Sequence, residues 1–483
     1  MTVIRPNSIS GVTSITAQGG DITYFKSDGT AGNQFTHNIQ STGVITATKF
    51  VGPIEGDVTG SGANLTSIPA GQLTGTVADA RISTLTASKL SGALPALDGS
   101  ALTGVGVGTA DSINTSGIIT ATAFISSQGT LANRNKIING DFTVHQRGGT
   151  IASSNGNYTI DRWRAYRAGD SSGGWSVQQS LSSYPQTNIS GVIDNFKASA
   201  FITVTSAGSA AANNNNKFQQ RIEGSNVYDL AFGTAAAKKV TVSFYVKCSL
   251  TGNFGIALVN GSHNRSNVQL YTINNATTWE RKIVTFNGDT SGSWDFGTGT
   301  GLQLMFDMGS GSSKHAGSTN TWLSGEYHGT TSSVKLIHTN GATIQFAGVQ
   351  LEAGEIATPF EHHSYADELI SCQRYYFKIT ADDNDSVFLG YSTNGSSFYG
   401  EVPFPTSMRS MPTFTGSSTA ARYFSSNTSN DFTISNLAIH GAHTSANPHH
   451  TSMYVAISGA AGGTAGVCQA QNAVGTFEFS SEL

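Results

Sequence analysis

Val240-Thr-Val-Ser-Phe-Tyr-Val-Lys247 sets branched and aromatic residues one step out of phase with small polar ones. That period of two predicts a strand with one face against a core. Glu280-Arg-Lys-Ile-Val-Thr-Phe286 and Gly301-Leu-Gln-Leu-Met-Phe306 follow the same rule, separated from it by Gly, Ser and Asn turns. Strands of this kind recur from residue 136 to residue 361 with no helical period between them. Such a chain buries its apolar faces by packing sheet on sheet, so the expected fold is all-β: a jelly-roll-like β-sandwich over 136–361.

Towards the C-terminus one helix is expected. Ser364, Asp367 and Glu368 form a capping arrangement, with Tyr365, Leu369, Cys372 and Tyr376 on one helical face, giving a helical connector over 362–378. Strand patterns resume at Val387–Tyr391, Ser397–Val402, Asp431–Ile434, Ser452–Ile457 and Gly475–Phe479, interrupted by a Gly/Ala loop at 459–466. Residues 379–483 thus read as a C-terminal β tip domain.

Towards the N-terminus the texture changes. Residues 1–135 have few aromatics and no evident core, but they repeat: Ser41-Thr-Gly43-Val-Ile-Thr-Ala-Thr-Lys-Phe50 returns as Thr115-Ser-Gly117-Ile-Ile-Thr-Ala-Thr-Ala-Phe124. Between the copies lie Val58-Thr-Gly60, Leu73-Thr-Gly75, Leu90-Ser-Gly92 and Leu102-Thr-Gly104, spaced too irregularly for a solenoid of fixed rung. Words that cannot bury a face alone need neighbours, and three chains winding together supply them. Residues 41–135 are therefore expected to form a repetitive, intertwined β-rich shaft; a short helix at Val77–Leu90 is left open.

Charged residues make up 12% of the 483, and 56 are glycine. The polarity comes instead from Ser, Thr, Asn and Gln, which suit strands and turns. A net charge of −4 gives no footprint for a nucleic-acid backbone or an anionic lipid surface. No cationic segment followed by an apolar one opens the sequence, and no apolar run approaches the roughly 20 residues that span a bilayer. Cys248, Cys372 and Cys468 are odd in number and far apart, which argues against a disulfide framework or a zinc finger and for folding in a reducing cytoplasm.

Several words taken together carry a resemblance: Asn135-Lys-Ile-Ile-Asn-Gly-Asp-Phe142, Gln146-Arg-Gly-Gly149, Asp161-Arg-Trp163, Gly348-Val-Gln-Leu-Glu-Ala-Gly354, Ala357-Thr-Pro-Phe-Glu361, Cys372-Gln-Arg-Tyr-Tyr376, Ser407-Met-Arg-Ser-Met-Pro412 and Ser481-Glu-Leu483. They resemble the receptor-binding region of tail fibres of tailed bacteriophages, marine ones especially. Gly43-Val-Ile-Thr-Ala-Thr48 and Gly60-Ser-Gly-Ala-Asn-Leu-Thr-Ser-Ile-Pro69 are similar to shafts of phages of marine cyanobacteria. The resemblance implies a homotrimer, with residues 1–40 as a virion-attachment segment held by a tail, baseplate or adaptor protein. It also implies a sandwich similar to carbohydrate-binding modules and a distal tip. The implied place is the virion, after assembly in the host cytoplasm.

The same words have a plain physical reading. Asp161-Arg162-Trp163 suits an internal ion pair beside a core aromatic better than a binding triad. Words shared among binders are often scaffold, which leaves binding to loops. Gly169-Asp-Ser-Ser-Gly173 matches a nucleophile word, but reads as a sandwich loop because an elbow needs a strand before and a helix after. His440, His443, His449 and His450 cluster, and one histidine per chain at a trimer axis would suit a metal. A polar loop around Asn447-Pro448 explains them as well, so no metal and no cofactor is favoured; His440 and His443 are the possible ligands. Asp382-Asp-Asn-Asp385 lacks the spacing of a calcium loop and reads as a solvated turn.

Sugar recognition needs flat aromatic faces beside amide or carboxylate groups. Two places offer both: Tyr391, Phe398 and Tyr399 near Asn394, and Tyr423 and Phe424 near Asn427 and Asn430. Ordinary strand packing is the competing reading for each ring. No pair of carboxylates announces the acid and base of a glycosidase. The expected function is adhesion of a trimeric fibre to a host-surface polysaccharide or outer-membrane receptor. The alternatives are a depolymerase and a non-adhesive collar or baseplate fibre.

Overall fold

The computed structural model describes residues 133–169, 173–185, 195–209, 211–416, 421–425, 432–434, 436–440, 449–458, 462–470 and 475–483. The expected attachment segment, almost all of the shaft and the Val77–Leu90 stretch lie outside them. So do the middle of Gly169–Gly173, Asn427, Asn430 and His443.

Two antiparallel sheets form a jelly-roll-like sandwich. One has six strands in the order Thr150–Ala152, Gly174–Ser180, Ser199–Ser206, Thr343–Ala353, Val240–Cys248, Glu280–Phe286. Its partner has seven: Trp322–Ser324, Arg265–Ile273, Gly252–Asn260, Thr300–Asp307, Asn215–Glu223, Trp163–Ala168, Asn155–Tyr158. Strands distant in sequence lie side by side, as when Thr343–Ala353 slots between Ser199–Ser206 and Val240–Cys248. The inner faces meet in an aromatic core: Trp163 stacks on Phe218 at 5.0 Å, Phe218 on Phe346 at 6.0 Å, and Phe306 lies 4.4 Å from Phe346. Fully burying one such ring contributes about 2–3 kcal/mol.

The alternation in Val240–Lys247 names this core face correctly, yet the other face is buried as well. Tyr245 on that outer face is 2% exposed and packs against Phe196, which in turn meets Phe360 edge-on. The segment carrying Phe360 is tied down through Gln350, whose amide donates to the Pro359 carbonyl and whose oxygen accepts from the Glu361 amide.

The helix is shorter than the sequence suggests. It spans Tyr365–Gln373, with the Ser364 hydroxyl accepting from the Asp367 amide at 3.2 Å. Its buried residues are Glu368 and Cys372, Tyr365 is 60% exposed, and Tyr376 already belongs to the next strand. The expected face of Tyr365, Leu369, Cys372 and Tyr376 is thereby corrected: the core wants the side that carries Cys372, and the chain straightens before Tyr376.

The C-terminal region is also β. A three-stranded sheet orders Tyr376–Ala381, Gly475–Ser480, Thr413–Gly416. A seven-stranded sheet orders Phe432–Thr433, Ala421–Ser425, Ala465–Ala470, Ser386–Asn394, Ser397–Pro403, His450–Ala456, Asn436–Ile439. Phe388, Phe398, Met453, Val455, Cys468, Phe477 and Phe479 form their shared core.

Sandwich and C-terminal sheets meet at a buried polar junction. Arg162 is 1% exposed; its guanidinium pairs with Glu482, donates to the Arg221 carbonyl at 2.6 Å and lies 3.5 Å over the Tyr375 ring. Arg147 bridges Asp161 and Glu482, each at 3.1 Å, over the Tyr376 ring. Arg374 holds Glu223 with two hydrogen bonds of 2.6 and 3.0 Å, and the Tyr375 hydroxyl donates to the same carboxylate. Arg409 donates to the carbonyls of Ser481 and Glu482. Asp161-Arg162-Trp163 is thus scaffold, as its plain reading holds, although Arg162 pairs with Glu482 and not with its neighbour Asp161. The three cysteines are buried and free. Among the described residues no helix is long and apolar enough to cross a membrane.

Candidate functional site

The seven-stranded C-terminal sheet buries one face and presents the other. On Ser397–Pro403, Phe398, Gly400 and Val402 point inward while Tyr399 and Glu401 point outward, and on His450–Ala456 the inward residues are Thr451, Met453 and Val455. On Ser386–Asn394, Phe388 and Ser392 are buried whereas Leu389 and Tyr391 are 72% and 56% exposed. Gly400 leaves room for the buried Phe388 ring and the Leu389 carbonyl, each of which a Cβ there would meet at 2.4 Å.

Register then builds a row. Tyr391 lies opposite Tyr399, and Tyr399 opposite Tyr454, so three tyrosines cross three strands. Their ring centroids are 6.4 and 5.6 Å apart. Ala465 and Ala438 flank the row at either end, too small to cover the rings. In the next outward row Glu401 lies opposite Ser452, whose carbonyl accepts from the His440 amide at 2.9 Å. The His440 ring stands edge-on to Tyr399 at 4.8 Å.

Together Leu389, Tyr391, Thr393, Tyr399, Glu401, His440 and Ser452 line an open groove of about 680 Å³. Among the described residues Glu401 is the one carboxylate in that lining, and it holds no Lys or Arg. The Glu401 side chain is 65% exposed, with His450 Nδ1 at 3.8 Å from its carboxylate, a separation that contributes little at a wetted surface. Aromatic rings in a line, tilted by 41° and 52° to one another and edged by a carboxylate, a hydroxyl and an imidazole, suit a ligand with apolar faces and hydroxyl rims.

Comparison with known proteins gives no family model that matches this chain and no curated protein that matches it. Among solved structures, the enzymatically active domain of bacteriophage CBA120 tailspike protein 4 aligns at 13% identity over 46% of this chain and 21% of its own, with a TM-score of 0.25. A CBM4 structure aligns at 16% identity over 45% of this chain and 98% of its own, TM-score 0.23. TmCBM61 in complex with β-1,4-galactotriose aligns at 10% identity over 46% and 99%, TM-score 0.24. This chain therefore spans about a fifth of the tailspike domain, and similarity at these scores leaves its function to be read from its own residues.

The sequence-predicted site residues separate. Tyr391 and Tyr399 meet in the groove. Phe398 does not: it is fully buried, 6.0 Å from Phe388, because it shares the parity of Val402 and not of Glu401. Asn394 is spent locally, its side-chain oxygen accepting from the amide and hydroxyl of Ser396 to close the hairpin. Tyr423 and Phe424 sit in the strand Ala421–Ser425, paired through the backbone with Cys468 and Val467, one strand removed from Ser386–Asn394. His440 forms a wall of the groove, and among the described residues no group of three His, Cys, Asp or Glu could hold a metal. Asp382–Asp385 is an exposed turn closed by backbone and side-chain hydrogen bonds. This groove lies on a sheet face and not on a loop. The residues missed, Leu389, Glu401, Ser452 and Tyr454, were legible in the parity of their strands, since Tyr454 is out of phase with Met453 and Val455.

Proposed function

We propose that the protein is a tail-fibre protein of a tailed phage, acting in the virion as a homotrimer that adheres to glycan on the host surface. The observation that carries the binding role is the row of Tyr391, Tyr399 and Tyr454 on an open sheet face beside Glu401. The resemblance of its sequence words to tail fibres supports the setting, with residues 1–40 fixing the chain to the particle. Binding is favoured over depolymerisation because the groove lining holds one carboxylate, and acid–base hydrolysis of a glycosidic bond uses two. Three shallow grooves on one trimer retain a particle by avidity, with no single site needing to be tight.

The test adds the labelled full chain to a panel of candidate host cells, before and after periodate oxidation of their surface glycans. Host-restricted retention that periodate abolishes is expected. A trimer retained by no cell would assign the chain to a collar or baseplate fibre, and release of reducing sugar would favour the depolymerase.

A further inference from the structure

A ligand class follows from the charge and direction of the tyrosine groove, and it rests on the glycan-binding role just proposed. We infer that the groove takes an uncharged segment of glycan at least two pyranose rings long, lying across the strands.

Direction comes from register. Neighbouring strands are spaced by roughly 4.8 Å, so a row of three side chains on three adjacent strands extends about 10 Å perpendicular to them. The three tyrosines occupy directly opposed positions on Ser386–Asn394, Ser397–Pro403 and His450–Ala456, which is such a row; Tyr391 and Tyr399 line the groove and Tyr454 continues the row beyond its lining. The rings are tilted by 41° and 52° from one to the next, so a ligand that meets more than one of them must offer an apolar face in successive units and must cross the strands. A monosaccharide reaches one ring, or two at most.

Charge comes from the lining. Glu401 stands next to the row and, among the described residues, no ammonium or guanidinium lines the groove to offset it. Two imidazoles are nearby, His440 in the wall and His450 at 3.8 Å from the Glu401 carboxylate. A uronate or phosphate lying on the tyrosines would bring like charge towards Glu401. Hydroxyl groups would instead donate to its oxygens, and a carboxylate accepts such bonds more strongly than a neutral group does. Leu389, 72% exposed at the rim, adds apolar surface suited to the C–H face of a neutral ring.

The test uses polysaccharide released by mild acid from a host that retains the full chain, separated by anion exchange into uncharged and acidic fractions. Each fraction competes against cells for the labelled protein. The uncharged fraction is expected to compete, with potency that appears at disaccharides and longer after partial hydrolysis. Tyr391→Ala, at an exposed ring, is expected to weaken retention roughly tenfold, and Glu401→Lys to let the acidic fraction compete as well. Competition by the acidic fraction alone would overturn the inference while leaving glycan adhesion standing. Uncharged competition untouched by both substitutions would place the glycan elsewhere and overturn it too. A fall in the mass of the Tyr391→Ala protein by light scattering would show that a second copy of the chain covers the row. If neither fraction competes, adhesion to that host is not through its glycan, and the glycan-binding role on which the inference rests fails.

Discussion

Arg162 carries its charge in the interior on three partners: the Glu482 carboxylate, the Arg221 carbonyl and the Tyr375 ring. Taking away the carboxylate leaves the guanidinium desolvated and unpaired. Glu482→Gln is therefore expected to destabilise the protein by about 3–5 kcal/mol, read from the midpoint of urea unfolding. Asp161 belongs to the same network through Arg147. Burial pushes its carboxyl up to about 6, against the opposing pull of Arg147 and Gln146. In the folded protein it binds a proton below that value, whereas the unfolded chain binds one only below its ordinary 3.8. Its contribution to stability is thus fully present below 3.8 and is lost as pH rises through about 6, a change on the order of 3 kcal/mol. Asp161→Asn should flatten that part of a stability–pH curve measured by denaturation between pH 4 and 7.

At the scale of the element, the hairpin of Ser386–Asn394 and Ser397–Pro403 assigns opposite roles to adjacent aromatics. Phe398 fills the core and Tyr399 lies on the open face. Phe398→Ala is expected to cost about 3–5 kcal/mol, while Tyr391→Ala, across the hairpin and exposed, stays within about 0.5 kcal/mol. Chemical denaturation of the two variants separates packing from binding. Much of this element is legible in the sequence: the expected strands match the observed ones at every end to within one residue except after Tyr391, where the strand runs three residues further to Asn394, and Tyr391 and Tyr399 are both among the expected site residues. Parity is what went unused, since aromatic type alone cannot tell Phe398 from Tyr399, whereas Val402 and Glu401 can. Tyr454 was hidden by distance, because its place beside Tyr399 comes from pairing between strands about fifty residues apart. The end of the helix was obscured for a related reason: Tyr376 keeps the helical period but pairs with Ser480, which local sequence does not contain.

For the whole molecule, five of the eight words that carry the resemblance are spread along the sequence yet converge on one junction. Gln146-Arg147, Asp161-Arg162, Arg374-Tyr375-Tyr376, Arg409 and Ser481-Glu482 all touch there. The sandwich was legible from alternation because its strands are long, while the junction was not, since charge pairs leave no period in a sequence. Arg374 clamps the sandwich's Glu223 to the strand that follows the helix. Calorimetry of the full chain should show sandwich and C-terminal sheets melting together, and Arg374→Ala should split that transition into two.

The pairing of Arg162 with Glu482 also imposes a schedule. The two residues lie 320 positions apart, so during synthesis the guanidinium leaves the ribosome long before the carboxylate that neutralises it. At about 5–20 residues per second the wait is tens of seconds. Until then the end of the sandwich that carries Arg162 keeps its charge in water, and closure of the last seam is deferred. A chain interrupted before residue 482 would remain open at that seam, where a protease can find it.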